Sequence, residues 1–155
     1  MKEKWPKNIR VEERKFQVTD YQRLRGQTNW DAIADWAVGI ALENDLYGVA
    51  VFDGPNMVGM GRVIGDGAIY FYVQDIIVHP KYRGQGLGRL IMEHIENYLK
   101  RAAVNNSFVG LMAARDSKGF YEKFGFKERG IHSPGMFKII EKTELNGFGK
   151  KSKNG

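Results

Sequence analysis

At 155 residues the chain has the length of one ordinary domain, and its 43% hydrophobic content is enough to bury a core. The absence of cysteine excludes disulfides, thiolate metal sites and a cysteinyl nucleophile, and no apolar run approaches the ~20 residues of a membrane span. The net charge of +6 sits on the ends: residues 1–15 carry six Lys/Arg against three Asp/Glu, residues 142–155 four against one, and residues 16–141 fourteen of each, so no basic groove for nucleic acid is required. The charged first fifteen residues have no apolar stretch behind them and do not read as a secretory signal, which makes the cytoplasm the expected compartment.

Taken in order, the region 9–19, with apolar positions at Ile9, Val11, Phe16 and Val18, is expected to contain a strand. Residues 29–43 predict a helix, capped by Asn29, whose core stripe is Ile33, Trp36, Ala37, Ile40 and Ala41. Three strands follow at 47–52, 57–64 and 68–79, separated by Asp53-Gly54-Pro55-Asn56 and Gly65-Asp66-Gly67. Residues 87–100 predict an amphipathic helix with Leu87, Leu90, Ile91, His94, Ile95, Tyr98 and Leu99 on one stripe. A buried strand is expected at 107–113, a short helix at 117–124 stopped by Gly125, and strands at 126–129 and 136–140. The order implies one mixed α/β domain over residues 1–141, with antiparallel hairpins and a parallel crossover around the helix at 87–100. Residues 142–155 read as a disordered basic tail.

The chemistry is concentrated in VQDIIVHPKYRGQGLGRLIMEHIENYLK, residues 73–100. An apolar strand ends at His79-Pro80; the loop Arg83-Gly84-Gln85-Gly86-Leu87-Gly88 follows and runs into a helix. Glycine lets the backbone turn tightly and approach a ligand, and a helix start offers unpaired N–H groups with partial positive charge. Together they suit a phosphate or pyrophosphate, with Lys81, Arg83 and Arg89 adding charge. A Walker loop would need Gly-Lys-Ser/Thr where Gly88 is followed by Arg89 and Leu90. A dinucleotide loop would need a glycine where Arg89 stands.

Arg-x-x-Gly-x-Gly after a strand ending Val-x-Pro resembles the coenzyme A loop of the GNAT superfamily of N-acetyltransferases. The later Phe120-Tyr121-Glu122-Lys123-Phe124-Gly125-Phe126 resembles that family's Tyr-x-x-x-Gly-Phe motif. Both stretches look similar to bacterial GNAT proteins and plant-type serotonin acetyltransferases. The resemblance implies a central, mostly antiparallel sheet flanked by helices, with one splayed parallel strand pair. It also implies acetyl-coenzyme A as co-substrate, no metal, and direct attack of an amine on the thioester in a ternary complex. By that resemblance, Arg83, Gly84, Gln85, Gly86, Leu87, Gly88 and Arg89 hold the pyrophosphate. The main chain of Ile76, Ile77 and Val78 pairs with the pantetheine arm and polarises the thioester carbonyl. Tyr121 is the candidate general acid for the leaving thiolate.

On the strand, Tyr72 and Gln74 share the parity of Ile76 and Val78, and Asp75 is expected on the opposite face. Gln74 matches a position where some family members carry an ionisable residue. Asp75 is the carboxylate nearest in sequence; with an amide at 74, water is expected to carry the amine proton. His79 and His94 read as structural, His132 as a candidate for the acceptor pocket, and Tyr70, Phe71, Tyr72, Trp30 and Trp36 as core, with an aryl-binding wall as the alternative. Ala114-Arg115-Asp116 stands where many members have an asparagine that contacts the coenzyme. The expected partner is a small-molecule amine, with no nucleic acid and no membrane; a homodimer is left open by the sequence. The competing readings are a protein N-terminal or lysine acetyltransferase and a coenzyme A-binding module without turnover.

Overall fold

The computed structural model describes residues 5–142, so the expected tail at 142–155 lies outside the described residues but for Lys142. The chain divides into two compact units at Leu111/Met112.

The first unit holds a five-stranded sheet in the order β1-β2-β3-β4-β5: β1 Ile9–Glu13, β2 Tyr47–Asp53, β3 Asn56–Gly65, β4 Tyr70–Val78 and β5 Phe108–Gly110. Neighbours are antiparallel except β4 and β5, which run parallel. This is the mixed sheet with one parallel pair that the sequence led us to expect. The parallel pair is short, joining only Tyr70, Tyr72 and the residue between them to β5. β5 is also less buried than expected, with Phe108 exposed.

Three helices belong to this unit: α1 Val18–Arg25, α2 Asp35–Glu43 and α3 Leu87–Ala102. α3 matches its expected range, and its buried residues are Leu87, Ile91, Met92, Ile95 and Leu99. No described helix is long and apolar enough to cross a membrane. The region 9–19 contains the expected strand as β1, while α1, which begins at Val18 and buries Tyr21 and Leu24, was not anticipated. One expectation fails here. α2 begins only at Asp35 and packs on Val38 and Leu42, leaving Trp36 63% and Ile40 58% exposed. The expected stripe is therefore the solvent face. α2 has no basic residue in its last turn; Lys15 supplies the missing charge from outside the helix. Its Nζ donates to Leu42 O at 3.1 Å and Glu43 O at 3.0 Å, where the carbonyl end of the helix favours a cation.

The two faces of the sheet are built differently. Phe16, Tyr21, Leu24, Val38, Leu42, Ala50, Phe52, Met57, Met60 and Ile77 form the core between the sheet and α1–α2. On the other face α3 lies close enough that β3 needs glycine. A Cβ on Gly61 would stand 2.6 Å from Ile91 Cγ2, 2.7 Å from Ile76 Cδ1 and 3.0 Å from Ile95 Cδ1. Ile91 Cγ2 branches near the backbone and has little freedom to move away. Gly61→Ala is therefore expected to destabilise the fold by about 1–3 kcal/mol through overpacking, read as a lower urea midpoint at unchanged slope.

The second unit contains α4 Lys118–Glu122, ended by Gly125 at φ +86°. Phe120, Tyr121, Phe124 and Phe126 form an edge-to-face aromatic group, with centroids 5.0 Å apart for Phe120–Tyr121 and 6.2 Å for Tyr121–Phe126. The strands expected at 126–129 and 136–140 do not form. A strand exists only through a neighbour's backbone, and the described residues of this unit supply none. Met136, Phe137, Ile139 and Ile140 are correspondingly exposed.

Candidate functional site

β4 carries the feature from which the site is built. Cross-strand register runs Val63↔Val73 and Arg62↔Gln74, then resumes at Met60↔Ile77, so Asp75 and Ile76 together oppose Gly61 alone. This is a β-bulge. Asp75 adopts φ +57°, a left-handed conformation that aspartate tolerates better than most residues. The extra residue reverses the facing of everything after it. Gln74 pairs with Arg62, whose guanidinium lies over the Tyr21 ring of α1, while Ile76 packs over Gly61 toward α3. The expected parity is thus corrected: Gln74 and Ile76 lie on opposite faces, and Asp75 reaches Tyr21 on the α1 side.

The bulge also sets the main-chain directions. The His79 N–H donates to Val58 O at 2.8 Å, and Gly59↔Val78 is the pair between them. Val78 is therefore a non-hydrogen-bonded partner of β3, and its N–H and C=O point to the opposite edge of β4. Alternation puts the Ile76 N–H on that edge as well, whereas Ile77 faces β3. β5 covers the edge only as far as Tyr72, so beyond that point no described strand pairs with it.

β4 ends in a 3₁₀ turn, Pro80–Tyr82, which leads into the glycine loop. The His79 ring accepts the Lys81 N–H at 3.2 Å, capping this turn. Tyr82 O–H donates to Asp53 Oδ2 at 2.5 Å, tying the turn to β2, and Arg83 Nε donates to Val78 O at 3.3 Å. From the other end of the chain, Trp5 Nε1 donates to Gln85 O at 2.8 Å. Gly84 and Gly86 have φ +74° and +84°, and Gly86 is the N-cap of α3. A Cβ on Gly84 would meet no atom within 4 Å, so this part of the loop faces open space. Leu87 is buried and fixes the helix start. Arg89 pairs with Glu93 at 3.4 Å on the exposed side of α3. The residues present therefore suit a diphosphate: an anchored turn, two left-handed glycines and the positive end of a 16-residue helix. The loop residues and the open edge of Ile76 and Val78 are consecutive in one unit.

Sequence reasoning did not single out the polar network beneath β4. Asp75 is 4% exposed, and its Oδ2 accepts from Tyr21 O–H at 2.8 Å and Arg62 Nε at 3.0 Å. Gln74 Nε2 donates to its Oδ1 at 3.3 Å. Arg62 Nη1 lies 3.8 Å from Asp45 Oδ2, and Lys15 Nζ pairs with Asp45 Oδ1 at 3.0 Å. Burial and the Asp75 carboxylate push the Tyr21 phenol up to about 12, so it remains a donor. The visible signal was one arginine inside the otherwise apolar strand MVGMGRVIG.

Tyr121 lies in α4 of the second unit; burial raises its pKa, which keeps it protonated at neutral pH. His94 Nδ1 is 3.1 Å from Glu13 Oε1, and His132 is exposed. Of the aromatics read as core, Phe71 is buried, while Tyr70, Trp30 and Trp36 are exposed. No group of three or more His, Asp or Glu that could hold a metal occurs among the described residues.

Comparison with known proteins bears on the same segments. A profile described as an acetyltransferase (GNAT) domain matches residues 11–143. A crystal structure from meticillin-resistant Staphylococcus aureus, described as a protein of unknown function and probable acetyltransferase, is 36% identical. It superposes with a TM-score of 0.80 over 85% of this chain and 99% of that one. A GNAT-family acetyltransferase from Streptococcus pneumoniae is 28% identical, with a TM-score of 0.72 over 86% of this chain and 99% of that one. Among curated relatives, the chloroplastic serotonin N-acetyltransferase 2 of Oryza sativa subsp. japonica is 38% identical over 44% of this chain and 34% of its own length. The chain spans about half to two thirds of the length of the first curated relatives it matches. A profile match over most of the sequence, together with a glycine loop opening α3 beside a bulged strand, leaves one assignment: the chain belongs to the GNAT acetyltransferase family.

Proposed function

We propose that this protein transfers an acetyl group from acetyl-coenzyme A to a primary amine, with a small molecule as acceptor. The observation that carries the reading is the continuity of the open β4 edge with the glycine loop at the start of α3. One end can hold a diphosphate through main-chain N–H groups, and the other can hold an extended amide-bearing arm through strand-like pairing. Residues 1–141 would act as one catalytic domain, a reading supported by the profile match across 11–143.

In this scheme the amine nitrogen attacks the acyl carbon; the new C–N bond forms and the C–S bond breaks, its electron pair leaving with sulfur. The main-chain N–H groups of Val78 and Ile76 are the donors available to the developing oxyanion, and they are fixed before the reaction. The thiolate takes its proton from Tyr121, assigned by motif match and kept in the acid form by burial. The amine arrives as ammonium and gives its first proton to water, since Gln74 cannot act as a base; the second, lost from nitrogen as the amide forms, returns through water to the Tyr121 phenolate. Tyr121→Phe is expected to lower kcat about 10²-fold while coenzyme A affinity by calorimetry stays within about threefold. Undiminished turnover would remove Tyr121 from this role.

The reading is tested by thiol release from acetyl-coenzyme A across a panel of aliphatic, aromatic and sugar amines. Silence toward all of them, with turnover on a peptide N-terminus or lysine, would move the acceptor to protein. Tight coenzyme binding with no turnover on any acceptor would leave a binding module.

A further inference from the structure

Asp75 stands out as a buried carboxylate at positive φ in the middle of a strand, held by donors from three elements. Tyr21 belongs to α1, Arg62 to β3 and Gln74 to β4 itself. Oδ2 is shared by the phenol and the guanidinium, and Oδ1 takes the Gln74 amide. A general base needs a free lone pair facing the incoming amine, and this carboxylate directs both oxygens into the protein. The bulge it occupies has a definite consequence. Before it, Phe71 and Val73 are the residues whose N–H groups leave the sheet away from β3; after it, they are Ile76 and Val78. Without the extra residue, Ile77 would take the outward position and its side chain would leave the core, where it is 5% exposed.

We propose that Asp75 is a positioning residue: latched by Arg62 and Tyr21, it pins the β4 bulge and so aims the Ile76 and Val78 N–H groups at the acyl carbonyl and the arm behind it. The proposal rests on the acetyl-transfer reading for its chemistry, but its geometry can be tested apart from turnover. A latch predicts that the shape of residue 75 and its hydrogen bonds matter, and that its negative charge does not. Asn adopts left-handed φ readily and keeps an oxygen acceptor for Arg62 and Tyr21; Gly adopts the φ without the latch; Ala has neither.

The experiment compares kcat, the KM for acetyl-coenzyme A and the Kd for free coenzyme A, all per folded molecule, in Asp75→Asn, Asp75→Gly and Asp75→Ala. Asp75→Ala should lose about 10²-fold in kcat, as removal of one oxyanion donor does, with Kd raised by about tenfold at most, because hydrogen bonds to the arm weaken while the loop at 83–89 is untouched. Asp75→Gly should fall between, and Asp75→Asn should stay within about fivefold of wild type. An Asp75→Asn as inactive as Asp75→Ala would make the carboxylate a base and overturn the proposal. A kcat unchanged in Asp75→Ala, or a Kd raised by the same factor as kcat falls, would overturn it too. If Asp75→Ala does not fold, Tyr21→Phe removes one latch donor without altering φ; about a threefold to tenfold loss in kcat at constant KM supports the latch, and no loss overturns it.

Amide hydrogen exchange gives the readout independent of turnover. Adding acetyl-coenzyme A to the wild type should protect the Ile76 and Val78 amides, and Asp75→Gly should lose that protection while retaining binding. Protection without turnover on any amine would sink the acetyl-transfer reading and leave the latch standing. Turnover without protection would do the reverse.

Discussion

Replacing Gly86 with valine is expected to abolish coenzyme A binding, with the Kd for free coenzyme A raised at least about 100-fold by calorimetry and little loss of fold. Gly86 is the N-cap of α3 at φ +84°, a conformation in which a β-branched residue is a genuine outlier. Two responses are open to the variant, and both damage the site. If the backbone holds, the isopropyl group stands among the N–H groups of the first helical turn, where the diphosphate would lie. If the backbone relaxes to negative φ, the loop swings out of line with the helix, because Leu87 is buried at 1% exposure and cannot follow. Gly84→Ala is the control. It has φ +74° but open space around the new methyl group, so only the cost of left-handed alanine, about 1–2 kcal/mol, applies. Its affinity should fall roughly tenfold. A Gly86→Val protein that binds coenzyme A within about threefold of wild type would mean that the diphosphate lies elsewhere.

The glycine loop was legible because its signal is local: glycine at fixed offsets, a preceding Pro80 and a following amphipathic helix all lie within two dozen residues. The hairpins of β2, β3 and β4 were legible for the same reason, through turn residues between apolar runs. The failures share a different cause. α1 was missed because Val18, Tyr21 and Leu24 are only three apolar positions in VTDYQRLR, and their spacing becomes meaningful only once the sheet beneath them is known. α2 is apolar nearly all round, so Trp36 and Ile40 competed with Val38 and Leu42 for the core face, and the larger side chains misled. The bulge is invisible in a subtler way. Burial along Tyr70–Val78 alternates without a break, and the reversal after Asp75 shows only in the register against β3. A pattern of period two reports which residues are covered; it does not report what covers them.

The same bulge depends on Arg62, and Arg62→Met is expected to be the most destabilising single change in the first unit, at about 3–5 kcal/mol. The guanidinium is the cation between two buried carboxylates, 3.0 Å from Asp75 Oδ2 and 3.8 Å from Asp45 Oδ2, with its Cζ 5.5 Å from the Tyr21 ring centroid. Methionine fits the volume but leaves both acids without it. Asp45 retains Lys15, whose side chain is half-exposed, whereas Asp75 retains only the Tyr21 hydroxyl and the Gln74 amide. At about 2–4 °C per kcal/mol for a chain of this size, the midpoint of thermal unfolding should fall by about 6–20 °C. Arg62→Lys should recover only part of the loss, because one ammonium cannot reproduce the fork that faces both acids. The decisive comparison is the triple variant Arg62→Met, Asp45→Asn, Asp75→Asn. If the loss arises from stranded charge, removing the charges restores most of the stability; if it arises from lost packing, the triple variant stays as unstable as the single one. Turnover then reads the latch apart from the fold: with Arg62 gone the triple variant should regain stability but stay about threefold to tenfold below wild type in kcat, and full turnover would remove Arg62 from the latch.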